Sequence, residues 1–217
     1  MDYRVTKYES HKLKKIKISK NILIRKIREK HPRAHNFYSL VRSEYKNEFM
    51  EVYNNKCAYC GVSLDLIPKR MFEIDHFVNE KSARFKNGCR RNKNGMSNLV
   101  LSCYDCNRKK TNFDIDKQIE YILHGDYEKV KDIFHRNPKD YSIEIGNIAI
   151  FTTIQQDIIR DFYNTLMLGN YIHRLDYLLM SMRALADRLS SCKEMTSNEH
   201  STLLHCIDIL QRKRNRF

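Results

Sequence analysis

The sequence predicts a mostly helical α+β protein in which a small cysteine-rich core sits between helical flanks. Three observations predict it. Apolar residues recur at helical spacing before residue 56 and again after residue 113. Between them the chain is broken into short pieces by cysteines and by Gly61, Pro68, Gly88 and Gly95. That middle stretch also holds two Cys-x-x-Cys pairs. The expected organisation is a basic N-terminal helical leader (1–55), a knuckled core (56–112) and a helical C-terminal region (113–217) available for docking on a partner.

Taken in order, the first 17 residues are Lys-rich with little periodicity, which reads as a solvated tail or an arm that docks on nucleic acid or a partner. Ser19 is placed to cap a short helix through Leu23, Ile24 and Ile27, and Pro32 interrupts what precedes it. Val41, Tyr45, Phe49 and Val52 predict one helix over residues 39–53. In the core, strands are expected at 71–76 and 99–102, separated by a long basic loop, with a helix from about Cys103 that carries Asn107 in its early turns. Beyond it, Ile115, Ile119, Ile122 and Leu123 form one apolar face, and Val130, Ile133 and Phe134 another, with Pro138 ending that unit. Residues 143–151 look β-like, with a hairpin through Gly146. Helices are expected over 154–166, 171–189 and 197–211, the second with a core-facing stripe of Leu175, Leu178, Leu179, Met182 and Leu185.

At 217 residues and 41% hydrophobic, the chain is large enough to build a real core. No apolar run approaches the roughly 18–20 residues of a membrane span. The N-terminus has no apolar signal region, so a cytoplasmic setting is expected. The formal net charge of +14 favours a polyanionic partner, and the charge is uneven. Between Lys81 and Lys110 stand Lys81, Arg84, Lys86, Arg90, Arg91, Lys93, Arg108, Lys109 and Lys110, against the single acid Asp105. Such a stretch is expected to track a phosphate backbone through Arg90, Arg91 and Lys93 in its loop and Arg108, Lys109 and Lys110 beside the helix; a solvated loop is the alternative.

Seven cysteines make a disulfide framework a poor explanation. Cys57-Ala-Tyr-Cys60 and Cys103-Tyr-Asp-Cys106 are two thiolate pairs that can aim four sulfurs at one point. Four thiolates suit a closed, tetrahedral zinc site with no position left for substrate, so this zinc would be structural, with an iron–sulfur cluster the minor competitor. Cys89, Cys192 and Cys206 read as ordinary free thiols.

The chemistry-bearing residues lie between the pairs. Phe72-Glu73-Ile74-Asp75-His76 puts an acid and an imidazole at a strand end; Asn98-Leu99-Val100-Leu101 and Cys106-Asn107-Arg108-Lys109-Lys110 follow. A neutral imidazole can deprotonate water near pH 7. A hard divalent ion held by Asp and Asn oxygens can neutralise charge on a phosphate. The difficulty is that neighbours on a regular strand face opposite sides, so Asp75 and His76 converge only if the strand ends, twists or bulges. Each residue also has a plainer reading: Asp75–His76 as a structural pair, Asn98 as a turn residue, Asn107 as a helix cap, Glu73 as a surface glutamate or a reserve metal ligand. His124, His135 and His173 lack a partner pattern and read as structural or exposed.

The set Asp-His, Asn-Leu-Val-Leu and Cys-x-x-Cys-Asn-x-x-Lys, framed by an earlier Cys-x-x-Cys, resembles the HNH endonuclease family. His76, Asn98 and Asn107 match its three signature positions, the last as Asn where many members carry His. The resemblance implies a ββα-metal core. It implies His76 as general base, Asp75 and Asn107 as ligands of one Mg²⁺ or Mn²⁺, Asn98 as a brace that keeps His76 oriented, and products with 5′-phosphate and 3′-hydroxyl ends. DNA is expected before RNA. The layout of leader, core and helical tail is similar to the nuclease subunits of bacterial antiphage systems, the Septu and retron-associated HNH proteins, which work beside an ATPase partner. The competing reading is a zinc-stabilised nucleic-acid-binding or assembly module without catalysis.

Overall fold

The computed structural model describes residues 2–9, 15–85, 92–111, 113–115, 117–192 and 196–217. Helix α1 (Ile16–Lys30) buries Ile16, Lys20, Leu23 and Ile27, a stripe at three- and four-residue spacing. Ser19 lies inside this helix rather than capping it; the helix starts after Lys15, whose backbone is left-handed at φ 65°. The helix expected over 39–53 is two: α2 (Phe37–Ser43), capped by the Asn36 side chain accepting from Ser39 N, and α3 (Lys46–Val52). The chain turns at Glu44 and Tyr45, whose amides both reach Leu40 O, and the turn lets Val41, Tyr45 and Phe49 all stay buried.

Strands β1 (Phe72–His76) and β2 (Leu99–Cys103) pair antiparallel, with Phe72 opposite Cys103, Asp75 opposite Val100 and His76 opposite Leu99. Helix α4 (Tyr104–Lys110) leaves β2 directly and packs on both strands. After it come α5 (Lys117–Leu123) and the one-turn α6 (Val130–Ile133), with Ile115, Ile119, Ile122, Leu123, Val130 and Ile133 all buried. Phe134 belongs not to that helix but to β3 (Phe134–Arg136), which pairs with β4 (Ile143–Ile145). The hairpin expected through Gly146 therefore forms one turn earlier. Asn137 N bonds Ser142 O, and Pro138, which cannot donate to a ladder, sits in the turn. Helices α7 (Thr153–Thr165), α8 (Tyr171–Cys192) and α9 (Ser197–Arg214) complete the chain. The first and last open on capping boxes, Thr152 with Gln155 and Thr196 with Glu199, and α8 packs along α9.

The apolar core runs from Tyr3 to Ile207 and draws on the leader, the strands and the C-terminal helices alike. The N-terminal residues are part of it, not a tail: Tyr3, Arg4, Val5 and Thr6 are buried. The fold is thus a mostly helical α+β structure, with two small two-stranded sheets among the described residues. No helix among the described residues is long and apolar enough to cross a membrane.

Candidate metal centre and active site

The cysteine pairs sit on two different supports. Cys57 and Cys60 flank a tight turn closed by Gly61 N to Cys57 O, and Ala58 N ties that turn to Leu101 O on β2. Gly61 is required here, because its φ is +81° and an added Cβ would lie 2.6 Å from Arg4 Cα. The second pair straddles the strand–helix junction, Cys103 ending β2 and Cys106 lying in the first turn of α4. All four sulfurs are buried and lie within 4.8 Å of one another, with Cys60 Sγ 3.8 Å from Cys103 Sγ. Thiolates about 2.3 Å from a shared ion at tetrahedral corners are about 3.8 Å apart, so the cluster could bind zinc. The first knuckle is held from outside by the N-terminus, a contact with no sequence signal: Tyr3 Oη donates to Tyr59 O and Arg4 Nη1 to Ala58 O and Gly125 O. Cys206 is an exposed free thiol, and Cys89 lies outside the described residues.

The expected site residues gather on β1, on α4 and on the turn before β2, but not as one constellation. The strand stays paired through His76, so Asp75 and His76 point to opposite faces. On the α4 side, the buried Asp75 carboxylate accepts from Tyr59 Oη at 2.5 Å and lies 3.1 Å from Lys110 Nζ. Burial pushes its pKa up, against the opposing pull of Lys110 and Tyr59. Glu73 shares that face. Its carboxylate accepts from Asn107 Nδ2 and lies 3.2 Å from Arg108 Nη2.

On the opposite face, the His76 ring lies against Tyr38 of α2 at a centroid distance of 4.3 Å with the rings tilted by 35°, and Nε2 lies 2.9 Å from Asn94 Oδ1. Asn94 is itself fastened to α2, its carbonyl accepting from Phe37 N and Tyr38 N. Asn98, fully buried, accepts from Val78 N and donates to Val78 O and Lys93 O, and its own carbonyl receives Phe77 N. It thereby joins the segment leaving β1 to the segment entering β2.

The cations expected to meet phosphate divide. Lys93 and Arg108 are exposed and Lys109 is half-buried, while Arg90 and Arg91 lie outside the described residues. Lys110 is different: at 2% exposure it cannot reach a surface phosphate and instead serves Asp75 and the His76 carbonyl. Of the histidines set aside, His124 is buried and bonds Ser97 O, His173 is buried, and His135 is exposed. Tyr59, Tyr38 and Asn94 carry no sequence signal for these roles: Tyr59 fills an unspecified position inside the first Cys-x-x-Cys pair, Tyr38 and Asn94 lie outside the motifs, and only folding brings them to the strand.

No curated protein and no solved structure gives a significant match to the chain. Residues 57–113 match the family model of the HNH endonuclease, so the cysteine cluster, both strands and the helix built on them form an HNH endonuclease domain.

Proposed function

We propose that the chain is a metal-dependent endonuclease that hydrolyses phosphodiester bonds in nucleic acid, DNA before RNA. The observation that carries this reading is the arrangement on β1. Within the matched stretch, an imidazole and a set of oxygen donors occupy the two faces of the same strand end. Attack and departure at phosphorus are in line, on opposite sides of the phosphate. A phosphodiester lying across the end of β1 can therefore meet His76 on one side and the Asp75–Glu73–Asn107 face on the other.

His76 accepts the proton of the attacking water, which requires release of its contact with Asn94. Asn98 holds the two segments that frame the imidazole. The oxygen donors of Asp75 and Asn107, with Glu73 beside them, fit a hard ion such as Mg²⁺ or Mn²⁺. Bound there, such an ion neutralises charge on the phosphate and leaving oxygen. In the structure Lys110 supplies the positive charge at Asp75. The zinc-type cluster has no open position and serves to hold β2 and α4 against the first knuckle.

The layout's similarity to the nuclease subunits of bacterial antiphage systems supports an effector role beside an ATPase partner, docked through α7–α9. One observation favours a second reading, a non-catalytic zinc-stabilised nucleic-acid-binding or assembly module: Asp75 is already satisfied by Tyr59 and Lys110. Chelator-sensitive nicking of plasmid DNA by the purified chain separates the two. A bound but uncut plasmid would favour the module.

A further inference from the structure

The structure carries positive charge beside β1 that does not come from the basic stretch around residues 81–110. Arg42 of α2 stands 5.3 Å over the Tyr38 ring and bonds its hydroxyl at 3.2 Å, and the Tyr38 ring in turn lies against His76. Arg42 is thereby tied, through Tyr38, to the side of β1 that carries the imidazole. Lys46, the first residue of α3, has Arg42, Lys69 and Glu73 as its charged surroundings. Burial and then the neighbouring Lys69 hold its ammonium below its ordinary pKa, which Glu73 only partly offsets. Lys69, in the turn leading into β1, bonds Asn47, a neutral partner. Glu73 is itself engaged by Asn107 and Arg108. Elsewhere on α3 the pattern is the ordinary one, with Glu48 paired to Lys26 of α1 at 2.8 Å. Cations gathered without matching acids repel one another, and a polyanion relieves that repulsion.

We infer that Arg42, Lys46 and Lys69 form a phosphate-binding rim contributed by the leader helices, facing Arg108 of α4 across Glu73, so that a nucleic-acid strand runs over β1 between them. The inference rests on the nuclease reading and adds to it the leader as half of the substrate track. Contacts of this kind position the backbone without reading sequence, so the rim sets affinity and salt dependence rather than base preference.

The test is binding of a short fluorescein-labelled DNA duplex to the full-length chain in magnesium-free buffer, followed by anisotropy over a salt series, with a labelled single strand alongside. Lys46→Ala/Lys69→Ala should weaken binding by on the order of tenfold and lower the log–log salt slope by about 2, since each lost phosphate contact removes about 0.9. Arg42→Ala should act in the same direction. Arg212→Ala/Lys213→Ala, which removes equal charge from the end of α9, should keep the parent slope, and the zinc content of every variant checks the fold. An unchanged slope in Lys46→Ala/Lys69→Ala, or an equal loss in the α9 variant, would overturn the rim while leaving the nuclease reading intact. Failure of the parent chain to bind either probe would overturn both.

Discussion

Lys110 Nζ lies 3.1 Å from Asp75 Oδ2 and 2.8 Å from the carbonyl oxygen of His76, and both the lysine and the aspartate are buried. One side chain from the last turn of α4 thus neutralises the acid of β1 and pins the backbone of the residue that follows it. Lys110→Met keeps the length and removes the charge, which leaves a buried carboxylate served by Tyr59 alone. Removing one partner of a buried pair costs about 3–5 kcal/mol. Urea denaturation of the zinc-loaded protein should show a loss of that size, and Lys110→Met/Asp75→Asn should recover part of it. A loss no larger than that of a surface lysine would contradict the buried pairing.

Asn98→Ala should destabilise the chain by about 1–3 kcal/mol, because Val78 N and Val78 O lose their side-chain partner inside the protein. Cleavage should fall further than stability explains, since the segments framing His76 lose their link. Activity measured well below the melting temperature separates the two effects.

The four-cysteine cluster should hold one zinc ion per chain, read by elemental analysis. Cys106→Ser should lower zinc content and thermal stability together, because the cluster joins the first knuckle to the β2–α4 junction. Cys206→Ser, at an exposed free thiol, should change neither.

Acid should destabilise the protein through His124. Burial pushes its pKa down to about 4 from 6.5, with Asp126 pulling the other way. The folded chain therefore keeps this ring neutral while the unfolded chain protonates it. Its contribution is whole above pH 6.5 and is lost as pH falls toward 4, a change on the order of 3 kcal/mol. Denaturation midpoints between pH 7 and pH 4.5 should fall more steeply for the parent than for His124→Gln, which can still donate to Ser97 O but does not titrate. Parallel curves would remove His124 from the account.

Much of the core could be read from the residues. Cysteine spacing named the cluster, a strand-like run named β1, and Cys103 marked where α4 starts, because these are local signals. Contacts between distant segments could not be read. Arg4 looks like one more cation of a Lys-rich tail, yet its guanidinium is buried under the first knuckle, reaching carbonyls at Ala58 and Gly125. Lys110 carries the same charge as Arg108 two residues earlier. One faces inward and the other outward because a helix advances about 100° per residue. The Pro138 turn misled in the other direction: a breaker expected to end a helix serves a hairpin instead, since Pro suits either place. The divergence of Asp75 and His76 was foreseeable from strand geometry, but their partners were not: Tyr59 fills an unspecified position of the first Cys-x-x-Cys pair, and Tyr38 lies on a helix that carries no motif.

The most direct test of the central claim is cleavage of supercoiled plasmid by the parent chain and by His76→Ala, each with Mg²⁺ or Mn²⁺ and with a chelator control. The account predicts metal-dependent nicking by the parent, with the rate in His76→Ala lower by about 10²–10⁴-fold at unchanged zinc content. Equal nicking by His76→Ala would contradict the assignment of the imidazole as the base.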